Sequence, residues 1–135
     1  MSGRGAELAR FADARAEEFE WDLSPDGRQA LLHVPFTNEV TLFPMKPGGR
    51  RSLKVKEGMH LRNVTWTAEG RGFFAANSLA TGAQLIHVDL QANTKVLWTV
   101  NGRDVFLMGK ESPDGRHVAI QASAGNSNLW MAENF

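Results

Sequence analysis

Four histidines are the first candidates for metal or acid–base chemistry: His33, His60, His87 and His117. No two are spaced as His-x-His or His-x-x-x-His, the spacings that bring two imidazoles to one side of a strand or helix. No metal site is therefore expected, and structural or solvated histidines account for all four. The chain has no cysteine, which excludes disulfides, thiolate zinc sites and a cysteine nucleophile. A serine hydrolase of the α/β type needs a Gly-x-Ser-x-Gly elbow. None occurs, and Ser24 and Ser112 read as turn caps rather than nucleophiles.

Asp26, Glu69 and Asp114 recur at one repeat position and could form a ring of carboxylates. The turn they occupy demands a residue of that type, which accounts for them without a site. Lys46, Arg50, Arg51, Lys54 and Lys56 form the one basic cluster. It falls on an expected outermost strand, where charge discourages edge pairing. Trp21, Trp66, Trp98 and Trp130 are expected in the inter-blade core rather than in a ligand cage. A glycosylation sequon, Asn63-Val64-Thr65, sits inside an expected strand and carries no weight. No catalytic residue, metal ligand or cofactor is assigned, and the binding residues stay unassigned. If a site exists, the connections before the first strands supply it, at Arg62, Asn63 and Asp104.

Bulk properties narrow the partners. Fifteen basic and fifteen acidic residues give zero net charge, and 42% of the chain is hydrophobic. That is a folded domain with no electrostatic reason to bind nucleic acid or an anionic membrane. No apolar run reaches the roughly 18 residues of a membrane helix. Met-Ser-Gly-Arg-Gly at the N-terminus lacks the apolar stretch of a signal peptide. A cytoplasmic chain, or a piece of a longer one, fits equally.

The elements that would position any site come from a repeat. Ser24-Pro25-Asp26-Gly27-Arg28 returns as Ser112-Pro113-Asp114-Gly115-Arg116, with Thr67-Ala68-Glu69-Gly70-Arg71 between them. The glycines are 43 and 45 residues apart, a period typical of propeller blades. Proline presets φ, aspartate suits the next position, and glycine accepts positive φ. Each turn therefore joins two antiparallel strands. First strands are expected at 19–23, 64–66 and 105–108, and the second strand follows each glycine. Third strands are expected at 40–43, 85–88 and 129–131, and fourth strands at 52–55 and 95–98. The second strands are apolar on both faces, as Phe73 and Phe74 illustrate, so both faces are expected to be covered.

The fold class is thus all-β: three four-stranded antiparallel meanders, or blades, at about 18–60, 61–104 and 105–135 of one unit spanning 1–135. The third blade lacks a fourth strand. Residues 5–11, with Leu8 matching Leu53 and Val96 or Leu97, are expected to supply it, against a rival helix over 5–18 that the Ala, Glu and Arg content favours.

The two Ser-Pro-Asp-Gly-Arg turns, together with Ser127-Asn128-Leu129-Trp130, resemble the Pro-Asp, WD-repeat-like propeller repeats of TolB-like proteins over about residues 5–135. The resemblance implies a propeller. It leaves function open, because relatives include a bacterial envelope component, sensor or scaffold segments of regulators, and propellers of prolyl-oligopeptidase-type hydrolases. Thr-Ala-Glu-Gly in the middle repeat departs from the pattern.

Closed propellers have four to eight blades, so three leave two open flanks. The expected function is a non-catalytic binding or scaffolding module. A homodimer is expected to close six blades and to present a loop face or channel to a protein or small ligand. The alternative is part of a longer propeller from a sensor, regulator or prolyl-oligopeptidase-type hydrolase.

Overall fold

The computed structural model describes residues 5, 19–46, 48–124 and 127–133. Within them the chain forms eleven strands in three antiparallel sheets. Blade 1 contains β1 (Glu20–Leu23), β2 (Gln29–His33), β3 (Glu39–Pro44) and β4 (Arg51–Lys54). Blade 2 contains β5 (Leu61–Trp66), β6 (Gly72–Leu79), β7 (Gly82–Asp89) and β8 (Thr94–Asn101). Blade 3 contains β9 (Phe106–Glu111), β10 (His117–Ser123) and β11 (Ser127–Glu133). The order in every sheet follows the chain, so each is a meander. The strand expected over 5–11 lies outside the described residues, apart from Gly5. The third sheet therefore shows three strands where the other two show four.

The repeated turns are built by their own side chains. Ser24 Oγ donates to Asp26 Oδ1 at 2.7 Å, and the same carboxylate oxygen accepts from Arg28 N at 2.9 Å. Ser112, Asp114 and Arg116 repeat the arrangement at 2.6 and 3.0 Å. The serine hydroxyls then accept from Gln29 N and His117 N, the second residue past each glycine. Gly27 and Gly115 both hold φ at +70°, a conformation costly for any residue with a Cβ. The serine bonds and the arginine amides hold Asp26 and Asp114 below the ordinary carboxylate range. The middle turn keeps the geometry without the carboxylate bonds. Gly70 sits at φ +67° and donates to Thr67 O at 3.0 Å, while Glu69 instead pairs with Arg71 at the exposed surface.

Blade 2 is the hydrophobic centre. The register puts Phe73 opposite Trp66 and Val88 on one face of β6, and Phe74 opposite His87 on the other. Phe73 packs with Leu31, Val40, Leu42 and Leu53 of blade 1; Phe74 packs with Val105, Leu107, Val118 and Ile120 of blade 3. Both faces of β6 are covered, which explains its nearly continuous apolar run. Gly109 lets the blades approach closely there, since a Cβ on it would meet Leu85 at 3.0 Å.

Side-chain bonds tie the inner strands β1, β5 and β9 in succession. Asp22 Oδ2 accepts from Trp66 N at 2.8 Å, and Trp66 Nε1 donates to Asp22 O at 3.0 Å. Asn63 Nδ2 donates to Leu107 O at 2.8 Å, and Thr65 Oγ1 donates to Gly109 O at 2.6 Å. Glu111 accepts from Ala68 N, so a blade 3 carboxylate caps the blade 2 turn. Lys110 Nζ reaches past blade 2 to Asp22 Oδ2 at 3.1 Å. His33, 1% exposed, places its two ring nitrogens 2.9 Å from Glu39 O and 2.8 Å from Leu61 O, which joins blade 1 to the start of blade 2.

Candidate functional site

All first-to-second strand turns lie at one end of the blades. The connections between blades, and the second-to-third strand turns, lie at the other; this end is called the connection face below. Arg62 and Asn63 stand on it at the start of β5. A register shift between Arg62 and Thr65 interrupts the pairing of β5 with β6. Such a bulge re-aims side chains. Asn63 takes φ +56°, and its amide donates to Glu20 Oε2 at 2.6 Å. With its side chain bonded to Leu107 O, Asn63 is locked between blades 1 and 3.

Arg62 is held differently. Its guanidinium carbon lies 4.9 Å from the centroid of the Phe36 ring, in the turn between β2 and β3. Phe36 has φ +67°, is 53% exposed, and donates its amide to Leu61 O at 2.7 Å. His60 Nδ1 lies 3.1 Å from Phe36 O. Among the described residues, Arg62 Nε is the one buried side-chain donor with no hydrogen-bond partner. Arg62 also makes no ion pair there. Asp104, expected beside Arg62 and Asn63, lies exposed in the next connection at φ +49°. It bonds to neither.

Two clefts separate blades 2 and 3. One, of about 390 Å³, lies at the turn end, with Thr67, His87, Lys95 and Glu111 among its walls. His87 packs edge-on to Phe74 at 5.7 Å. Burial lowers its pKa, against the opposing pull of Asp89 and Glu111. The other cleft, of about 280 Å³, is apolar and bounded by Leu97, Trp98, Trp130 and Met131 at the outer edge.

The remaining sequence candidates are dispersed. Among the described residues, no three His, Asp or Glu side chains gather where a metal could bind. Asp26 and Asp114 are engaged within their own turns. Of the basic cluster, Arg51 reaches blade 2 through Leu90 O at 2.7 Å, and Lys54 and Lys56 are exposed. The tryptophans divide. Trp66 is buried in the core, Trp98 and Trp130 meet edge-on at 6.1 Å, and Trp21 is 69% exposed. The inter-blade placement expected of all four fails for Trp21, whose flank no blade among the described residues covers. Phe36 and Glu20 belong to the Arg62 neighbourhood and carried no sequence signal. Their only trace is proximity to strand ends.

No protein-family model matches the chain, and no curated protein matches it. Solved structures do. TolB from Acinetobacter baumannii superposes with TM-score 0.66 at 14% identity, over 84% of this chain and 29% of that one. A TolB of Agrobacterium tumefaciens gives 0.66 at 14% identity, over 86% and 46%. Prolyl oligopeptidase B from Galerina marginata gives 0.59 at 15% identity, over 90% and 21%. The chain is an all-β unit of TolB-like propeller fold. It spans less than half the length of each of these structures.

Proposed function

We propose that the chain is a non-catalytic binding or scaffolding module, and that two copies join head to tail into a six-bladed ring. The observation that carries this reading is the pair of open flanks. On blade 1, the face turned from blade 2 presents Trp21 and Leu23, 69% and 44% exposed, opposite Leu32 and Ala30. On blade 3, the corresponding face presents Met131, 68% exposed, opposite Ala119, with Phe106 and Met108 on β9. Contiguous apolar surfaces of this kind are covered in working proteins. A two-fold ring covers both with one repeated contact. Its loop face or channel then receives a protein or small ligand.

The second reading is that further blades of a longer chain cover the same flanks, in a sensor, a regulator or a prolyl-oligopeptidase-type hydrolase. The short coverage of the similar structures favours it. An α/β-hydrolase domain continuing in the same reading frame would establish the hydrolase form.

The ring also accounts for the third blade. Among the described residues β11 is the outer strand of its sheet, a position that leaves backbone donors and acceptors to be paired, and in the ring residues 5–11 of the second copy pair beside 128–133. Deleting residues 1–14 is then expected to weaken the dimer and to promote aggregation, as read by light scattering against the full chain. A deletion dimer as tight as the parent would eliminate the strand exchange.

A further inference from the structure

We propose that Arg62 and Phe36 form a receptor for a carboxylate carried on a partner peptide. This rests on reading the chain as a binding module and names what one part of its connection face recognises. It does not rest on ring closure, because the pair lies between blades 1 and 2, away from both open flanks.

The first observation is the orphan donor. Arg62 Nε is buried without a partner, an arrangement that costs stability unless something is gained by it. The guanidinium makes no ion pair among the described residues, although the chain has as many acidic as basic residues. The outer Nη groups are not among the fully buried unpaired donors, so the guanidinium meets an incoming acceptor through its Nη side.

The second observation is rigidity. Phe36 lies under the guanidinium with its backbone in the left-handed region, which a bulky residue enters only when its surroundings impose it. Its amide is fixed to Leu61 O, and Thr37 N and Oγ1 both donate to Val34 O. From below, Asn63 is clamped by Glu20 and by Leu107 O. The cation is therefore held on a fixed shelf at a bulge. With Nε buried and the ring beneath it fixed, the side chain has less rotamer entropy to lose on binding than a fully exposed arginine.

The third observation selects the ligand. A stacked, planar guanidinium matches the two oxygens of a carboxylate. A single guanidinium suits a monoanion better than a phosphate, which gathers several cations. The exposed edge of Phe36 offers apolar contact to the residues flanking the acid, which favours a peptide over a free small anion.

The test uses the whole chain, with its particle mass recorded on the same sample so that ring failure and site failure are read separately. The Arg62 Nε–H resonance, identified by its loss in Arg62→Lys, is followed during titration. The probes are acetyl-Ala-Asp-Ala-amide, its Asn analogue, acetyl-Ala-Ala-Ala with a free C-terminus, and inorganic phosphate. The expected result is a saturable shift with one or both carboxylate peptides at a Kd on the order of 1 mM, and none with the Asn analogue. Which carboxylate peptide binds tells side chain from C-terminus. Binding to Arg62→Lys, followed by neighbouring amides, is expected to fall at least about fivefold because lysine lacks the planar fork. Phe36→Ala should weaken it as well. The proposal is overturned by an equal shift with the Asn analogue, by no saturation below about 50 mM, by tighter binding of phosphate, or by unchanged affinity in Arg62→Lys.

Discussion

Truncating Phe73 to alanine is expected to lower stability by about 3–5 kcal/mol, the range for deleting a fully buried aromatic ring. Phe73 has no exposed surface and sits at the centre of β6. Its ring lies opposite Trp66 and Val88 within blade 2 and packs against Leu31, Val40 and Leu53 of blade 1. The cavity would therefore open between two blades and could not be filled by one strand moving. Closing it would require blade 1 to shift against β5, where Asp22 and Glu20 are bonded to Trp66 and Asn63. Urea or thermal unfolding reads the effect, with both proteins at one concentration because association adds to apparent stability. Phe36→Ala is the control: Phe36 is 53% exposed and its loss should cost under about 1 kcal/mol. A cost at Phe73 as small as that would mean that blades 1 and 2 do not share this core.

Replacing Trp21 by glutamate is expected to weaken self-association by at least about 100-fold, near 2.7 kcal/mol, the scale of an aromatic hot spot. Trp21 is 69% exposed in the single chain, so it contributes little to the fold of its own blade. In a ring it would meet the uncovered face of blade 3, where a glutamate would be a buried, unpaired charge. Association and folding should therefore separate. Circular dichroism would keep its all-β signature while sedimentation showed a lighter particle. A variant that associates as the parent does would place the contact elsewhere on the molecule.

The contrast between these two aromatics shows how far the sequence could be read. The blades were legible because their punctuation is chemical. Ser24 and Asp26 build a turn from local bonds, and Ser112 and Asp114 build the same one. Even the degenerate middle copy kept the glycine at φ +67°. The double apolar face of β6 was equally plain in Phe73 and Phe74. The fate of Trp21 was not. Its residue type matches Trp66, and only its position on a terminal flank leaves it exposed.

The inner-strand bonds were also hidden. Glu20, Asp22 and Glu111 accept from backbone amides 43 or 44 positions away. That separation is close to the repeat period, so each acid meets the neighbouring blade at nearly its own level. Nothing in the local sequence distinguishes such an acid from a solvated one. Of the three residues expected at the connections, Arg62 and Asn63 are adjacent in β5. Asp104 lies one blade further on, and the period carries it away from them. The left-handed turn at Phe36 gave no warning, because a phenylalanine is among the residues least suited to it.

The central claim is that two chains close one ring. Sedimentation equilibrium of the full chain, across tens of micromolar, tests it most directly. The account predicts a single species of twice the chain mass that dissociates only on dilution or in Trp21→Glu. A stable species of one chain mass at every concentration would contradict it.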